Sequence, residues 1–395
     1  MTSSPLSPTL RRVRGPLADE LFLIGRPQDP TASLEAQAAS AFRTIVAELA
    51  EQGAGPEALV AETIFLPPSP KNFAAAVDQR RLAYALDQAL GNGPASTFIG
   101  QAPLDGSGAI EIAAIAVVPR DGGPLETLEV SRPASCPCDC CQQGLRARGL
   151  RLHGQLHLHA GNVFGSGNSV ETEAFDMFRV AEDLLREAGL TFRDVIRTWI
   201  HLRDIDRDYA ALNQARRDFF ASRGIERRPA STGVQGIPFA SRHNFSLSLY
   251  AVKSPRPLDV PLMSTPTLNE AWTYGADFSR GLRLVDGNFT KLILSGTASL
   301  DEYGKSVHDG DLPRQVERML RNIETLLEEQ GADFGDVVSA ITYVKYPTDA
   351  PLVREILQSC GFVGFPLAVV ESPLCRPELL CETEAVAVLA LPGNA

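Results

Sequence analysis

One short segment near the C-terminus gathers side chains that could do acid–base chemistry. Cys375 and Arg376 stand together, and Glu382 and Glu384 follow within nine residues of the cysteine. Burial disfavours the charged form of a carboxyl group and so raises its pKa, which makes Glu382 the candidate proton donor. Arg376 could hold a substrate carboxylate through paired hydrogen bonds. The alternative is structural: ion pairs for the charged groups, and a small buried apolar residue for Cys375.

The two glutamates lie in a β-like run, so their spacing places both side chains on one face of a strand. If the two carboxylates lie close together, their repulsion helps to keep a proton on one of them. The thiol of Cys375 need not attack the substrate, since it could equally shape the pocket. All three roles depend on the sheet that contains this strand.

That strand closes a unit that occurs three times along the chain. Each copy has an amphipathic helical segment, a glycine, a β-rich run, a second helical stretch and a closing strand. The glycines, Gly53, Gly189 and Gly331, suit the left-handed position that follows a helix. The predicted closing strands span residues 109–118, 244–252 and 379–390.

The order of elements predicts an α+β two-layer unit, with helices over one face of each sheet. The other face must also be buried, and three sheets packed around a shared axis would bury it within one chain. The predicted division is a flexible lead (1–18), unit 1 (19–118), a Cys-rich linker (119–150), unit 2 (151–253), a second linker (254–270) and unit 3 (271–395).

The three copies differ at the position where chemistry is expected. Aligned on the closing strand, Glu382 corresponds to Glu111 in unit 1 and to Ser246 in unit 2. The residues seven positions upstream in the three copies are Leu104, Phe239 and Cys375. Only unit 3 combines a carboxylate, a thiol and an arginine, so we expect one working site, carried by unit 3.

The order of elements and the Glu-x-Glu-Ala-x-Ala-Val strand at 382–388 resemble the RidA/YjgF family. Members of that family are homotrimers with active sites between subunits. The resemblance implies three tandem RidA/YjgF-like (chorismate-mutase-like) units packed as an intramolecular pseudo-trimer. RidA deaminases carry an arginine eight residues before the glutamate, where this chain has Leu374. This difference argues against imine or enamine hydrolysis.

Residues 375–382, Cys-Arg-Pro-Glu-Leu-Leu-Cys-Glu, are similar to a Cys-Arg-Pro-Asp-Leu-Leu-Val-Glu stretch of the chorismatases. That family includes FkbO-like chorismate hydrolases and 3-hydroxybenzoate synthases. The chain departs from the family at Ala276-Asp277, where a further basic residue is usual. Other matching segments are Tyr274-Gly275, Phe278-Ser279-Arg280, 294–299, His308 to Gln315, 197–199, Asn213, Arg216 and 229–233.

The resemblance implies an enzyme that cleaves the enolpyruvyl ether of chorismate or a close analogue. The products would be pyruvate and either a hydroxybenzoate or a dihydroxycyclohexadiene carboxylate. Glu382 would protonate the enol methylene carbon, with Cys375 as the second catalytic residue, and the chemistry needs no metal or redox cofactor. The candidate substrate-binding residues are Arg376, Tyr274, Ser279, Arg280, Thr297, Ala298, Gln315 and Glu384.

Two other functions remain as alternatives. One is a RidA-like enamine or imine deaminase, and the other is a non-catalytic small-molecule-binding protein built on a fused RidA trimer. The net charge of −11 and the absence of Lys/Arg runs argue against nucleic acid as a partner and leave a small anionic substrate. A fused trimer satisfies its own interfaces, so a monomer is expected, with a dimer as the alternative.

A cluster of cysteines precedes unit 2. Thiolates and imidazoles bind Zn²⁺, but four ligands from one hexapeptide would strain the geometry of the site, which favours a reduced loop. The candidate ligands are Cys136, Cys138, Cys140 and Cys141, with His153, His157 and His159 nearby. No apolar run of about 20 residues and no signal sequence is visible, so we expect a cytoplasmic protein with reduced thiols.

Overall fold

The computed structural model describes residues 7–86, 93–132, 145–152, 154–239 and 242–391. These residues form three mixed sheets, and two helices accompany each sheet. We keep the names unit 1, unit 2 and unit 3 for the three sheets with their helices. Within the described ranges, no helix is both long enough and apolar enough to cross a membrane.

Unit 1 contains a sheet in the order β1-β2-β5-β3-β4. Both helices begin at serines whose side chains accept a hydrogen bond from the first helical turn, Ser33 and Ser69. The elements are β1 (Leu10–Arg14), β2 (Ala18–Gly25), α1 (Leu34–Glu51), β3 (Leu59–Leu66), α2 (Pro70–Ala83), β4 (Ala95–Gly100) and β5 (Glu111–Pro119).

Unit 2 repeats this order as β7-β8-β12-β9-β10 and adds β6 beside β7, while the short β11 pairs with β4 of unit 1. Its elements are β6 (Glu126–Arg132), β7 (Leu145–Leu152), β8 (Gln155–Val163), α3 (Val170–Glu187), β9 (Val195–Leu202), α4 (Ile205–Arg223), β10 (Ala230–Gln235), β11 (Ile237–Pro238) and β12 (Phe245–Lys253).

Unit 3 has the same order again, β13-β14-β17-β15-β16. The predicted repeat is therefore confirmed, and Gly53, Gly189 and Gly331 all follow a helix with positive φ, at 74°, 77° and 74°. The elements of unit 3 are β13 (Gly281–Val285), β14 (Thr290–Ala298), α5 (Leu312–Glu328), β15 (Val337–Val344), α6 (Ala350–Ser359), β16 (Leu367–Glu371) and β17 (Cys381–Leu389).

Two segments differ from their predicted roles. The predicted flexible lead, 1–18, supplies β1, which pairs antiparallel with β2. The predicted linker, 119–150, supplies β6 and most of β7, which extend the sheet of unit 2. Val130 and Ala147 of these strands are buried in the core of unit 2. The segment is rich in Pro, Arg and Cys, and this composition gives no indication of its two strands.

The three units exchange edge contacts in a closed ring, in which a segment just before each closing strand docks onto the last strand of a neighbouring sheet. The contacts are Pro238 paired with Ile99, Gln235 N–H donating to the Pro373 carbonyl, and Leu104 N–H donating to the Val369 carbonyl. Residues of all three sheets line one central cavity. These features confirm the predicted pseudo-trimer.

A buried ion cluster ties unit 3 to unit 1. Lys291 on β14 donates to Glu20 on β2, at 2.6 Å, and lies 3.0 Å from Asp286. Burial lowers the pKa of Lys291, but the two carboxylates outweigh burial and raise the pKa well above its usual value. The amine therefore stays charged and is the counter-charge that the two carboxylates share.

We expect Lys291→Met to lower the free energy of unfolding by about 3–5 kcal/mol, because it leaves buried carboxylates without a counter-charge. Urea denaturation at pH 7 measures this change. The matched control is Arg321→Met, which removes the exposed pair with Glu324 and should change stability little. The triple variant K291M/E20Q/D286N should recover most of the loss. A single K291M variant as stable as the parent contradicts this account.

Candidate active site

A cavity lies between unit 2 and unit 3. It encloses about 720 Å³, including the solvent at its mouth, within the range of roughly 300–1,000 Å³ that small-molecule sites occupy. Its lining residues are Tyr209, Asn213, Ser231 and Gly233 from unit 2 and Tyr274, Gly275, Ala276, Phe278, Arg280, Gly296, Ala298, Leu300, Cys375, Arg376, Leu379 and Glu382 from unit 3.

Glu382 stands near the start of β17, where strand pairing sets it between Ala298 of β14 and Tyr343 of β15. Only 6% of the residue is exposed. Its carboxylate fits because residue 296 is glycine: a Cβ there would lie 1.9 Å from Oε1 of Glu382. The bare backbone of Gly296 is therefore a requirement of the site.

The surroundings of Glu382 favour its protonated form near neutral pH. Burial, and then the negative charge of Glu384, raise the pKa of Glu382 to about 7. The positive charges of Arg280, Arg197 and Arg376 act in the opposite direction. A carboxyl group with this pKa can donate a proton at physiological pH and recover it afterwards.

Two arginines in the cavity bind neutral partners. Nη2 of Arg280 donates to the hydroxyl of Tyr274 at 2.7 Å, and its Nε donates to a backbone carbonyl. Nη1 of Arg376 donates to the Gly304 carbonyl at 2.8 Å. Both guanidinium groups lie over the Tyr274 ring, at 5.3 and 5.1 Å from its centroid. Among the described residues neither forms a salt bridge, so both charges are available to an anionic ligand.

A third arginine lies behind the cavity wall. Arg216 is 4% exposed, and its guanidinium lies 5.5 Å from the centroid of the Phe278 ring. Its Nη2 donates to Asn213 at 2.6 Å, whereas its buried Nε has no hydrogen-bond partner among the residues that the structure describes. It too forms no salt bridge within the described part of the chain. It adds positive charge to the unit 2 side of the cleft.

Cys375 lies beside Glu382 as a neutral thiol. Burial, and then the charge of Glu382, raise the pKa of Cys375 to about 12, although Arg376 and a hydrogen bond with Tyr209 oppose the shift. The thiolate is the nucleophilic form of cysteine, and it is scarce at this pKa. Cys375 therefore shapes the pocket and can offer a weak S–H donor.

Three comparisons bear on this arrangement. The Endoribonuclease L-PSP family model matches residues 276–389. A RutC family protein of Pyrococcus abyssi is 31% identical over 102 residues, 26% of this chain and 79% of that protein. A 3-hydroxybenzoate synthase of Streptomyces hygroscopicus is 29% identical over 262 residues, 59% of this chain and 74% of that protein.

A solved chorismatase structure has the same fold over nearly the whole length. The TM-score is 0.64 at 16% identity, with 94% of this chain and 99% of that chain covered. The chain belongs to the family of that RutC protein, and its fold is that of the solved chorismatase. As in that solved chorismatase, one chain supplies the entire fold.

The cavity brings together six of the ten predicted site residues, and four lie elsewhere. Ser279 bridges the units, since its N–H donates to the Pro229 carbonyl. Thr297 donates to the Ser295 carbonyl. Gln315 donates to the Glu378 carbonyl and accepts from the Leu380 N–H, and so holds the loop before β17. These three residues position the site without lining it.

Glu384 is the fourth predicted substrate-binding residue outside the cavity. Its carboxylate accepts hydrogen bonds from Trp199 Nε1 at 2.6 Å, Arg197 Nη2 at 2.8 Å and the Tyr343 hydroxyl at 3.2 Å. It faces the centre of the pseudo-trimer, where it lines the axial cavity. Its effect on the site is electrostatic, through the pKa of Glu382.

The four residues of the unit 2 wall were not among the predicted site residues. Asn213 and the segment 229–233, which contains Ser231 and Gly233, had a signal in their match to the chorismatases, whereas Tyr209 of α4 had none. Ser231 and Gly233 had a second signal within the sequence. The sequence Pro-Ala-Ser-Thr occurs at 94–97 and again at 229–232, and marks the equivalent edge strands β4 and β10.

The equivalent clefts are filled by side chains. Strand pairing sets Glu111, Ser246 and Glu382 opposite Phe65, His201 and Tyr343, which agrees with the alignment of the copies. Between units 1 and 2, the Cys375 position is held by Phe239, whose ring lies 5.5 Å from those of Phe73 and Phe98. Phe98 holds the position of Gly233.

The remaining cleft, between units 3 and 1, is closed by an ion cluster. Nε of Arg26 lies 2.6 Å from Asp105 and 3.2 Å from Glu111, the counterpart of Glu382. Nη2 of Arg26 also donates to the Leu367 carbonyl of unit 3. Glu111 is thereby committed to a structural ion pair.

The proposed zinc ligands Cys136, Cys138, Cys140 and Cys141 lie outside the described residues, as does His153. Of the other two histidines, His157 shares a hydrogen bond of 2.8 Å with the Tyr250 hydroxyl, and His159 stacks on the same ring. Within the described ranges, no three His, Cys, Asp or Glu side chains are grouped to hold a metal ion.

The raised pKa of Cys375 predicts slow alkylation. At pH 8, iodoacetamide should label exposed Cys360 at least about tenfold faster than Cys375, because the thiolate is the reacting form. Peptide mass spectrometry over a time course measures both rates, and buried Cys381 serves as an unreactive control. Labelling of Cys375 as fast as Cys360 would show that the thiol is activated.

Proposed function

We propose that the chain cleaves the enolpyruvyl ether of chorismate or a close analogue and releases pyruvate. The observation that carries the proposal is a buried carboxyl group, Glu382, with a pKa of about 7, facing a cavity that also holds Arg280 and Arg376. The similarity to a 3-hydroxybenzoate synthase and to a solved chorismatase supports the choice of substrate.

Charge complementarity positions the substrate. Chorismate carries two carboxylates, and the cleft offers Arg280 and Arg376, neither of which forms a salt bridge with a described residue. Each guanidinium can pair with a carboxylate through two parallel hydrogen bonds. Arg216, behind Phe278, adds positive charge to the unit 2 wall. Gly233 and Ala298 have no bulky side chain and leave room for the six-membered ring.

The reaction begins with proton transfer from the Glu382 carboxyl group to the terminal methylene carbon of the enol ether. This transfer forms a methyl group and an oxocarbenium ion, and it leaves Glu382 as a carboxylate that stabilises the positive charge. Water, when it adds, returns a proton to Glu382, and collapse of the hemiketal breaks the bond between the pyruvyl carbon and the ether oxygen, which releases pyruvate and the diol. The ring hydroxyl, when it adds, also returns its proton to Glu382 and forms a cyclic ketal. Release of pyruvate from that ketal breaks the bond from the pyruvyl carbon to the ether oxygen, which takes up a proton from Glu382, and the bond from the ring to the former hydroxyl oxygen, and loss of a ring proton to Glu382 then gives the hydroxybenzoate.

The two modes of attack give different second products. Attack by water gives a dihydroxycyclohexadiene carboxylate, and attack by the ring hydroxyl leads to a hydroxybenzoate. Cys375 and Ala298 both line the cavity with Glu382, and so lie where they can affect which nucleophile reaches the cation. The deaminase alternative is weaker, because buried Leu374 stands where RidA deaminases carry the carboxylate-binding arginine.

We expect Glu382→Gln to lower the rate of pyruvate release by about 10²- to 10⁴-fold, because the amide cannot donate the proton. A coupled lactate dehydrogenase assay with chorismate measures the rate, and chromatography identifies the second product. Glu371→Gln, at the end of β16 outside the cavity, is the matched control and should keep the parent rate. No pyruvate from the parent protein at any concentration would sink the proposal.

The pH dependence should follow the protonation of Glu382. The acid form is needed, so kcat/KM should be level below pH 7 and fall about tenfold per pH unit well above it. Cys375, Tyr209 and Tyr274 all have raised pKa values and do not titrate in this range. A rate that rises through pH 7 contradicts the assignment.

A second variant tests the electrostatic cause of that pKa. Glu384→Gln removes the negative charge that helps to raise the pKa of Glu382, so the falling limb should move to lower pH. The rate at pH 5.5 should change less than the rate at pH 8. An unchanged midpoint would show that Glu384 does not tune the acid.

A further inference from the structure

Side chains do not completely fill the centre of the pseudo-trimer. Inward-facing residues of its central strands stay partly exposed, although strands lie on both sides of them. Ala61 and Thr63 of β3 show this, as do Ser339 and Ile341 at the same register in β15. In unit 2 the same two positions hold Arg197 and Trp199. The side chains at these positions in units 1 and 3 are shorter than Arg197 and Trp199. They leave a space at the centre that the unit 2 pair partly fills.

This axial cavity is built by all three units and is distinct from the catalytic one. It encloses about 790 Å³, a figure that again includes open solvent. Its walls are mainly apolar, and among them are Phe22, Ala113, Ile115, Trp199 and Leu294. Such walls favour an apolar ligand, because its burial releases surface from water.

The charged groups on the axial cavity are already neutralised. Glu62 pairs with Arg80 and accepts from the Tyr84 hydroxyl, while Arg197 pairs with Glu384. Burial lowers the pKa of His159 to about 3, so its ring is neutral. An ionised ligand would lose its hydration here without a free counter-charge, which selects an uncharged one.

One hydrogen bond connects the axial cavity to the catalytic one. Trp199 Nε1 donates to Glu384 at 2.6 Å, and both residues line the axial cavity. Glu384 lies two residues from Glu382 on β17, and Glu382 lines the catalytic cavity. A molecule placed against the Trp199 ring therefore acts on the partner that fixes the Glu384 carboxylate.

We propose that the axial cavity is a second small-molecule site, which takes a small uncharged aromatic compound against Trp199 and, when occupied, slows catalysis through the Trp199–Glu384 contact. Aromatic rings pack favourably against Trp199 and Phe22 in stacked or edge-to-face geometry. The binding site stands on its own geometry, whereas the effect on rate rests on the proposed function.

Tryptophan fluorescence tests the binding directly. The chain has two tryptophans, so Trp272→Phe leaves Trp199 as the reporter. Bromobenzene is the probe, because its heavy atom quenches a tryptophan that it contacts. Quenching should saturate in W272F, and the apparent Kd should rise at least about tenfold when a larger side chain fills the cavity. Ala61→Phe and Ala113→Leu are two such variants, each made in the W272F background.

Quenching that does not saturate would overturn the proposed binding site. So would saturable quenching whose apparent Kd is unchanged in both cavity-filling variants. Thermal melting checks that each variant is folded, and two independent variants guard against the failure of one. Ala61 and Ala113 line the axial cavity and lie outside the catalytic cavity, so the rate of each variant without bromobenzene is the baseline against which its response to bromobenzene is measured.

The effect on rate is measured in the parent protein. Bromobenzene should lower pyruvate release by at least about twofold, because a disturbed Glu384 disturbs the preorganised acid beside it. Half-saturation should match that of quenching, and the effect should vanish in A61F. Saturable quenching with an unchanged rate overturns the link between the cavities. A protein that releases no pyruvate at all refutes the proposed function, while the quenching result still decides the site.

Discussion

Each sheet of this protein has one face that its own helices do not cover, and the structure follows from the need to bury it. Three such faces turned toward one axis shield each other, and the ring of edge contacts at Pro238, Pro373 and Leu104 holds them in place. Clefts between the units are a consequence of this packing. The candidate active-site cavity is one of those clefts, and the axial cavity is the space that remains at the centre.

Covalent fusion allows the three clefts to differ. In a homotrimer, a substitution appears at every interface, whereas here Phe98 and Phe239 fill one cleft and Arg26 closes another. The remaining cleft keeps glycine at positions 233 and 296. A single site would also allow the proposed acid, Glu382, to be tuned by one neighbour, because Glu384 is held by Arg197 and Trp199, which only unit 2 supplies.

The fold could be predicted largely because it repeats. Helical periodicity and the glycines that end the helices recur three times, so each copy supports the assignment of the others. Strands β6 and β7 were not predicted, because their segment is rich in proline, arginine and cysteine and has the composition of a linker. Their strand character comes from pairing with each other and with β8, and sequence composition does not contain that information.

The candidate site could be predicted only where its residues are close in sequence. Cys375, Arg376 and Glu382 belong to one loop and strand, and all three line the cavity. Tyr209 and Asn213 come from a helix more than one hundred residues away, and packing alone brings them there. Glu384 was placed in the substrate site because strand periodicity predicts that it shares a face of β17 with Glu382. Periodicity does not reveal that Arg197 and Trp199 donate hydrogen bonds to its carboxylate.

Counting bound substrate tests the central claim, that one cleft of three is a working site. Isothermal titration calorimetry of chorismate into the slow Glu382→Gln variant measures the number of sites without turnover. The account predicts one chorismate per chain, with affinity lost when Arg280→Met is added. Three per chain, or one whose affinity is unchanged by Arg280→Met, would contradict it.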